Sequence, residues 1–474
     1  MSPPDRPLRV AVVGAGPAGF YAAAALLTAD PPAEVDMYDR LPTPWGLVRL
    51  GVAPDHPKLK EVSRAFERTS ARPGFRFFGN VELGRDLRHD DLMRFYAAVV
   101  YAVGAQTGRR LGIEGEDLPG SWSATEFVAW YNGHPDFQEL EFDLDAERAV
   151  VIGAGNVALD VARMLALTEE ELAPTDTTDR AAEGIARSGL REIVVLARRG
   201  PAQAAFTTPE LKEMGELAGA DVLVDPAELK LDAASEAALE TDTNARRNLE
   251  VLREFASREP EGKPRAVRIR FCVSPLAVRG QDRVEVVEIV RNRLETDERG
   301  RVRAVATGEH ESIPAGIVFR SVGYLGVPIS DVPFDEAAGT MPNADGRLLA
   351  GDGGVLRGVY CAGWIKRGPT GVIGTNKKDA TETVERLLSD ARAGLLPPPR
   401  DPDPDAPLAL LAERGVEVVT YAGWQELDTA ERQAGEPRGK PRVKLSSWEE
   451  LLAAARRAPV ERADSQSAAV DSLT

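Results

Sequence analysis

Apolar residues in this chain gather in short unbroken runs rather than in alternation, and the runs stop at glycines or at charged pairs. The first run, LRVAVV (Leu8 to Val13), passes through GAGPAG into the alanine-rich, helically spaced stretch FYAAAALL. The second, AVVI (Ala149 to Ile152), passes through GAGN into VALDVARML, which ends at Leu165. A strand apolar on both faces belongs inside a parallel sheet covered by helices, so each stretch predicts strand, tight turn and helix in that order. EVDMYDR supplies a further strand to the first unit and REIVVLARRG to the second. AAVVYAVGA (Ala97 to Ala105) and AGIVFRSVGY (Ala315 to Tyr324) are buried strands that bracket the second unit.

The two turns carry one glycine pattern. Gly14 allows the bend, Gly16 lets backbone approach a pyrophosphate, and Gly19 lets helix pack on strand. Gly155, Asn156, Val157 and Ala158 continue the second turn from Gly153, with alanine at the third position. The helix starting at each turn offers free N–H groups and a positive dipole end to phosphates. A glycine turn in an ordinary α/β protein is the alternative for either copy alone.

The next strand of each unit distinguishes the nucleotides. EVDMYDR ends on Asp39, 25 residues past Gly14, where an acid accepts hydrogen bonds from ribose hydroxyls and repels a 2′-phosphate. In the second unit Arg198 and Arg199 stand there, 45 residues past Gly153. Two guanidiniums suit a 2′-phosphate, hence NADP(H), against the alternative of two solvated arginines. The long spacing reflects a polar, helix-like insert, LTEEELAPTDTTDRAAEGIARSG. Two different sites suggest a bound flavin in one and an exchanging NADPH in the other.

The predicted fold is α/β, with two Rossmann-like dinucleotide-binding domains and the NADP domain inserted into a discontinuous FAD domain. The FAD domain takes 1–105 and 323–474, the latter with a C-terminal extension, and the NADP domain takes 106–322. The chain has 474 residues and a formal net charge of -17, which disfavours a nucleic-acid partner. Cys272 and Cys361 lie 89 residues apart without a CxxC pair, which argues against a disulfide framework and for a reducing cytoplasm. MSPPDRPLR has no apolar run of signal-peptide type, and no stretch approaches the ~18 apolar residues of a membrane span. No His/Cys cluster has metal-ligand spacing, so no metal is expected.

After the return strand comes VYCAGWIKRGPTGVIGTNKKDATETVERLL: a strand over Val359 to Ala362, a Gly/Pro loop, and a helix beginning near Thr370 or Gly371. With VVGAGPAGFYAA, PTPWGLVRLGVAPDHPK, VVIGAGNVALDVAR, RRGPAQAAFTTPEL and GWIKRGPTGVIGTNKKDA, the chain resembles the adrenodoxin reductase type of ferredoxin-NADP reductase, a glutathione-reductase-like two-domain flavoprotein. GEPRGKPRVKL resembles the family's C-terminal end. The resemblance implies FAD contacts at Gly14, Ala18, Asp39, Leu47, Val81, Trp364, Gly371, Val372 and Ile373. For NADP(H) it implies Arg109, Gly155 to Ala158, Arg198, Arg199, Glu210 and Gly371.

The implied chemistry is conversion of a hydride from NADPH into single electrons for an iron-sulfur acceptor. The resemblance sets His56 at the flavin site, and Glu213 pairs with it as a proton-handling or orienting group, with a structural histidine as the alternative. The expected partner is an acidic ferredoxin meeting a monomer at Arg246, Arg247 and Arg253, or at Lys366 and Arg367. Two rival readings are a flavoprotein subunit like that of glutamate synthase, whose N-terminal cysteine clusters are missing here, and a non-catalytic NADP(H)-binding sensor.

Overall fold

In the computed structural model, which describes residues 7–298, 300–371 and 373–458, two sheets dominate. A seven-stranded sheet runs in the order Asn343–Ala344, Arg347–Leu349, Val355–Cys361, Ala98–Tyr101, Arg9–Val13, Glu34–Tyr38, Phe75–Phe78. Its last five strands are parallel. A six-stranded, wholly parallel sheet takes Ser121–Ser123, Ile317–Arg320, Arg148–Ile152, Glu192–Ala197, Arg265–Phe271 and Ala220–Val224. The first sheet therefore draws strands from both sides of the second in sequence. Where the chain crosses between them, Thr107–Gly108 pairs antiparallel with Tyr324–Leu325.

Unbroken apolar runs are explained by two-sided burial. Val10 and Val12 face one core with Phe20, Val384, Leu387 and Trp424, while Ala11 and Val13 face another with Leu92, Phe95 and Leu411. In the second sheet Val151 and Val195 pack under helices with Phe127 and Leu252. Val150 and Val194 instead meet Val278 and Val287 from a three-stranded antiparallel sheet, Val273–Arg279, Val286–Thr296 and Val302–Pro314. The helix after the return strand is Ile373–Arg392, slightly later than its spacing suggests, because Trp364–Arg367 first makes a short helix of its own. Among the described residues no helix is long and apolar enough to cross a membrane.

A belt of buried charge joins the parts. Arg49, in the short helix Leu47–Leu50, grips Glu431 of the helix Tyr421–Gly435 through bonds of 2.8 and 2.5 Å. Arg442 and the Leu445 N–H add bonds of 3.0 and 2.9 Å to the same carboxylate. Lys444, wholly buried, donates to the Arg49 carbonyl (3.2 Å) and Asn132 (3.1 Å) and lies 3.3 Å from Asp176. Lys60 takes the other oxygen of Asp176 at 2.6 Å. The insert expected to be a polar excursion thus has a buried centre, Thr175 to Thr178, whose acid receives two lysines, one from each end of the chain.

Burial pushes the Glu431 carboxyl upward, but Arg49 and Arg442 outweigh it and hold the group below the usual carboxylate range. A depressed carboxyl stabilises the fold fully above its unfolded value, and that contribution is lost as pH falls through the folded value. Glu431→Ala leaves two guanidiniums buried and short of a partner and should cost about 3 to 5 kcal/mol in chemical denaturation near neutral pH. The gap to the parent should narrow in acid. Matching denaturation midpoints at neutral pH would show that the belt contributes nothing.

Candidate functional site

The first glycine turn is built by its neighbours. At Gly14, φ is +105°, and a Cβ would stand 2.5 Å from the Ala102 carbonyl oxygen; at Gly19 one would stand 2.0 Å from that of Gly14. The fold alone demands those two. Gly16 differs: its backbone is extended, and the nearest atom to an added Cβ is the Gly46 Cα at 4.0 Å. The helix Pro17–Leu27 begins there without a side-chain cap, which leaves its first N–H groups without that acceptor. Asp39 closes the turn, accepting from the Ala15 N–H (2.7 Å) and the Leu41 N–H (2.9 Å), and its carbonyl accepts from the Val81 N–H (2.9 Å). Trp45 binds the Ala15 carbonyl through its own N–H at 2.7 Å, which brings the loop holding Leu47 against the turn.

The return strand completes this neighbourhood. A Cβ on Gly363 would lie 2.6 Å from that of Ala18, so the segment carrying Trp364 abuts the first helix. The indole N–H groups of Trp45 and Trp364 are buried without partners, and Trp364 stacks on Tyr324 at 5.7 Å. Gly371 has φ +79° and would clash with Thr375, which is reason enough for a glycine there. Ile373 opens the following helix. Val372 lies outside the described residues.

The second turn repeats the division. Gly153 has φ +146° and would meet the Ser321 carbonyl oxygen at 2.1 Å, whereas nothing lies within 4 Å of a Cβ on Gly155. The helix Asn156–Ala166 is also uncapped by any side chain; Asn156 instead accepts from the Thr207 N–H at 2.8 Å. Val157 packs at the edge of the core, and Ala158 is fully buried in it. Arg198 and Arg199 follow the strand Glu192–Ala197, Arg198 exposed and Arg199 half-buried. Neither makes an ion pair among the described residues; Arg199 only reaches the Gln203 carbonyl, at 3.5 Å. Burial and the neighbouring Arg198 push the Arg199 guanidinium below its ordinary value. Arg109 follows the crossing strand, its N–H bonded to the Gly323 carbonyl at 2.9 Å.

Three segments meet in a charged seam. The loop before the helix Pro57–Lys60 contributes Asp55 and His56, the helix Asn156–Ala166 contributes Asp160 and Arg163, and the helix Thr208–Met214 contributes Glu210 and Glu213. The His56 Nε2 lies 3.0 Å from Glu213 and 3.6 Å from Glu210. Burial first, then the charge of Asp160, pushes the Glu210 carboxyl up to about 7, and one of its oxygens is buried without a hydrogen-bond partner. Ligand atoms of His56, Glu210 and Glu213 lie within 4.8 Å of one another, a grouping that sequence spacing could not reveal because it spans two segments. Arg163 already occupies the ring nitrogen that a metal ion would need.

A sequence profile of the pyridine nucleotide-disulphide oxidoreductases matches residues 8–194. The NADPH-ferredoxin reductase FprA of Mycobacterium tuberculosis is 50% identical over 456 residues, covering 94% of this chain and 99% of that protein. The chain belongs to the adrenodoxin reductase type of ferredoxin-NADP reductase. Human mitochondrial NADPH:adrenodoxin oxidoreductase is 43% identical to this reductase over 94% of its length and 91% of the human protein. The solved structure of M. tuberculosis FprA in complex with NADPH superposes with a TM-score of 0.89, at 49% identity, covering 95% of the reductase and 100% of that chain.

Sequence reading of the reductase missed Arg163 and Asp160, whose only signal is that polar residues interrupt the apolar face of a helix that otherwise packs in the core. It also offered Lys366 as a surface cation, whereas Lys366 is mostly buried and pairs with Asp379 at 2.9 Å. Within the two glycine turns, Gly16 and Gly155 are the glycines whose identity the fold leaves unexplained. Gly155→Ala should therefore change unfolding free energy by no more than about 0.5 kcal/mol. It should weaken NADPH binding, read by flavin-quenching or equilibrium titration. A loss of stability with unchanged NADPH affinity would contradict this division.

Proposed function

We propose that this reductase holds NADPH by its pyrophosphate at the second turn, takes a hydride from it and delivers single electrons to an acidic ferredoxin. Bound FAD would supply the conversion, since a flavin accepts an electron pair and releases electrons singly. The chain's own residues bind and orient. The open N–H groups at Gly16 and Gly155 meet the two pyrophosphates, and Asp39 takes the flavin-side ribose. Leu47, Val81, Trp364 and Gly371 to Ile373 surround the flavin, with Gly14 and Ala18 beneath it. Arg109, Asn156 to Ala158 and Glu210 hold NADP(H), and His56 with Glu213 handles or orients a proton between the sites.

The proposed domain division is 1–105 and 323–474 for FAD and 106–322 for NADP(H), a reading the crossing ladder supports. Ferredoxin would dock on the helix Thr243–Ser257, where Arg246, Arg247 and Arg253 are exposed; exposed charges of this kind steer encounter more than they add affinity. Two free thiols suit a reducing cytoplasm. Exposed large apolar side chains come singly, from separate segments, as suits a monomer.

The observation that carries the nucleotide assignment is the pair of arginines without a carboxylate at the end of the strand Glu192–Ala197. A charge-assisted contact to a 2′-phosphate contributes on the order of 1.5 to 3 kcal/mol. Arg199→Ala should accordingly raise the NADPH KM ~10-fold or more and leave NADH kinetics nearly unchanged. Equal losses for both nucleotides would refute the assignment.

A further inference from the structure

Arg163 stands outside every nucleotide contact named above, yet its guanidinium is the hub of the charged seam. The side chain is 3% exposed. Its Nε and Nη2 bond the two oxygens of Asp55 at 2.6 and 3.1 Å, and the second Nη2 proton is shared between Asp160 at 2.8 Å and the Nε2 of His56. Its Nη1 is buried without a hydrogen-bond partner, 3.6 Å from Glu210 and 3.8 Å from Glu213. Three elements therefore face His56 with charge: its own loop through Asp55, one helix through Asp160 and Arg163, and a second through Glu210 and Glu213.

A guanidinium carries donors only. Its bond to Nε2 must therefore use the ring's lone pair, which leaves the ring proton on Nδ1. Glu213, 3.0 Å from the same Nε2, is a carboxylate that can accept there only from an Nε2–H. One nitrogen cannot present a lone pair and a proton together, so Arg163 and ionised Glu213 compete for His56.

We propose that Arg163 is a positioning residue that fixes His56 as the neutral Nδ1–H tautomer, holding the Nε2 lone pair, and that yields this contact when Nε2 is protonated. A proton entering from water through the half-exposed Glu213 carboxyl moves to Nε2, leaving an imidazolium beside a carboxylate. The Arg163–His56 bond breaks, Nε2–H donates to Glu213, and Nη1 meets the carboxylates already beside it. Asp55 keeps its hold on Nε throughout, so the guanidinium pivots rather than departs. The inference deepens the reading of His56 and Glu213 as a proton-handling pair and rests on it. Its readout is the ring itself, so failure here would leave the electron-transfer assignment standing.

The test is nitrogen NMR of the flavin-loaded protein labelled at histidine. Four histidines are present, and His56→Gln identifies the signal. The parent should show His56 with Nε2 unprotonated, whereas Arg163→Met, checked for retained flavin absorbance, should show Nε2–H. Glu213→Gln should keep the parent tautomer. A parent carrying Nε2–H would overturn the proposal, as would an Arg163→Met ring in the parent's tautomer or a Glu213→Gln ring that switches. A purely structural Arg163 would lower the melting temperature and leave the tautomer alone. Should Arg163→Met lose its flavin, the parent spectrum still decides.

Discussion

Arg49 and Arg163 are each nearly sealed from water, and each draws its carboxylate from a distant part of the chain. Glu431 serves Arg49 across 382 residues, and Asp55 serves Arg163 across 108. Removing one partner of such a pair strands a buried charge at a cost of several kcal/mol. That cost is a constraint on geometry: the turn carrying Asp55 and His56 and the helix carrying Arg163 hold one relative position. With them, the first glycine turn and the second are held in register. Lys444 and Lys60, both on Asp176, add a further tie between distant segments.

This arrangement explains why the two halves of the site differ in kind. The two turns are formed by backbone, through uncapped helix starts and glycines that leave space. The centre is formed by side chains, with four carboxylates around one guanidinium and one imidazole. Backbone sites tolerate changes that preserve the turn, while the centre depends on every group having a counterpart.

Much of the fold was legible because its signals are local. Unbroken apolar runs, glycine turns and alanine-rich helices occur within single windows, and Asp39, Arg198 and Arg199 stand at strand ends that those windows define. The resemblance supplied Leu47, Val81 and Trp364, which periodicity alone would have left in the core. What stayed hidden was long-range. The burial of Thr175 to Thr178 depends on lysines at positions 60 and 444, and the seam around Arg163 requires three segments that only folding brings together. Lys366 read as surface because a lysine beside an arginine suggests solvent, whereas Asp379 one helix later gives it a buried partner.

Electrons that leave NADPH in a pair must exit singly through a docked iron-sulfur protein. The most direct test is NADPH-driven reduction of cytochrome c with and without a small acidic ferredoxin, run beside ferricyanide reduction, for the parent and for Arg246→Glu combined with Arg247→Glu. The parent should need ferredoxin for its full rate, and this rate should fall as salt rises, since screening acts over only ~10 Å at 0.1 M. The double variant should lose ferredoxin coupling and keep its ferricyanide rate. Full cytochrome c reduction without ferredoxin, or coupling indifferent to salt and to both substitutions, would contradict it.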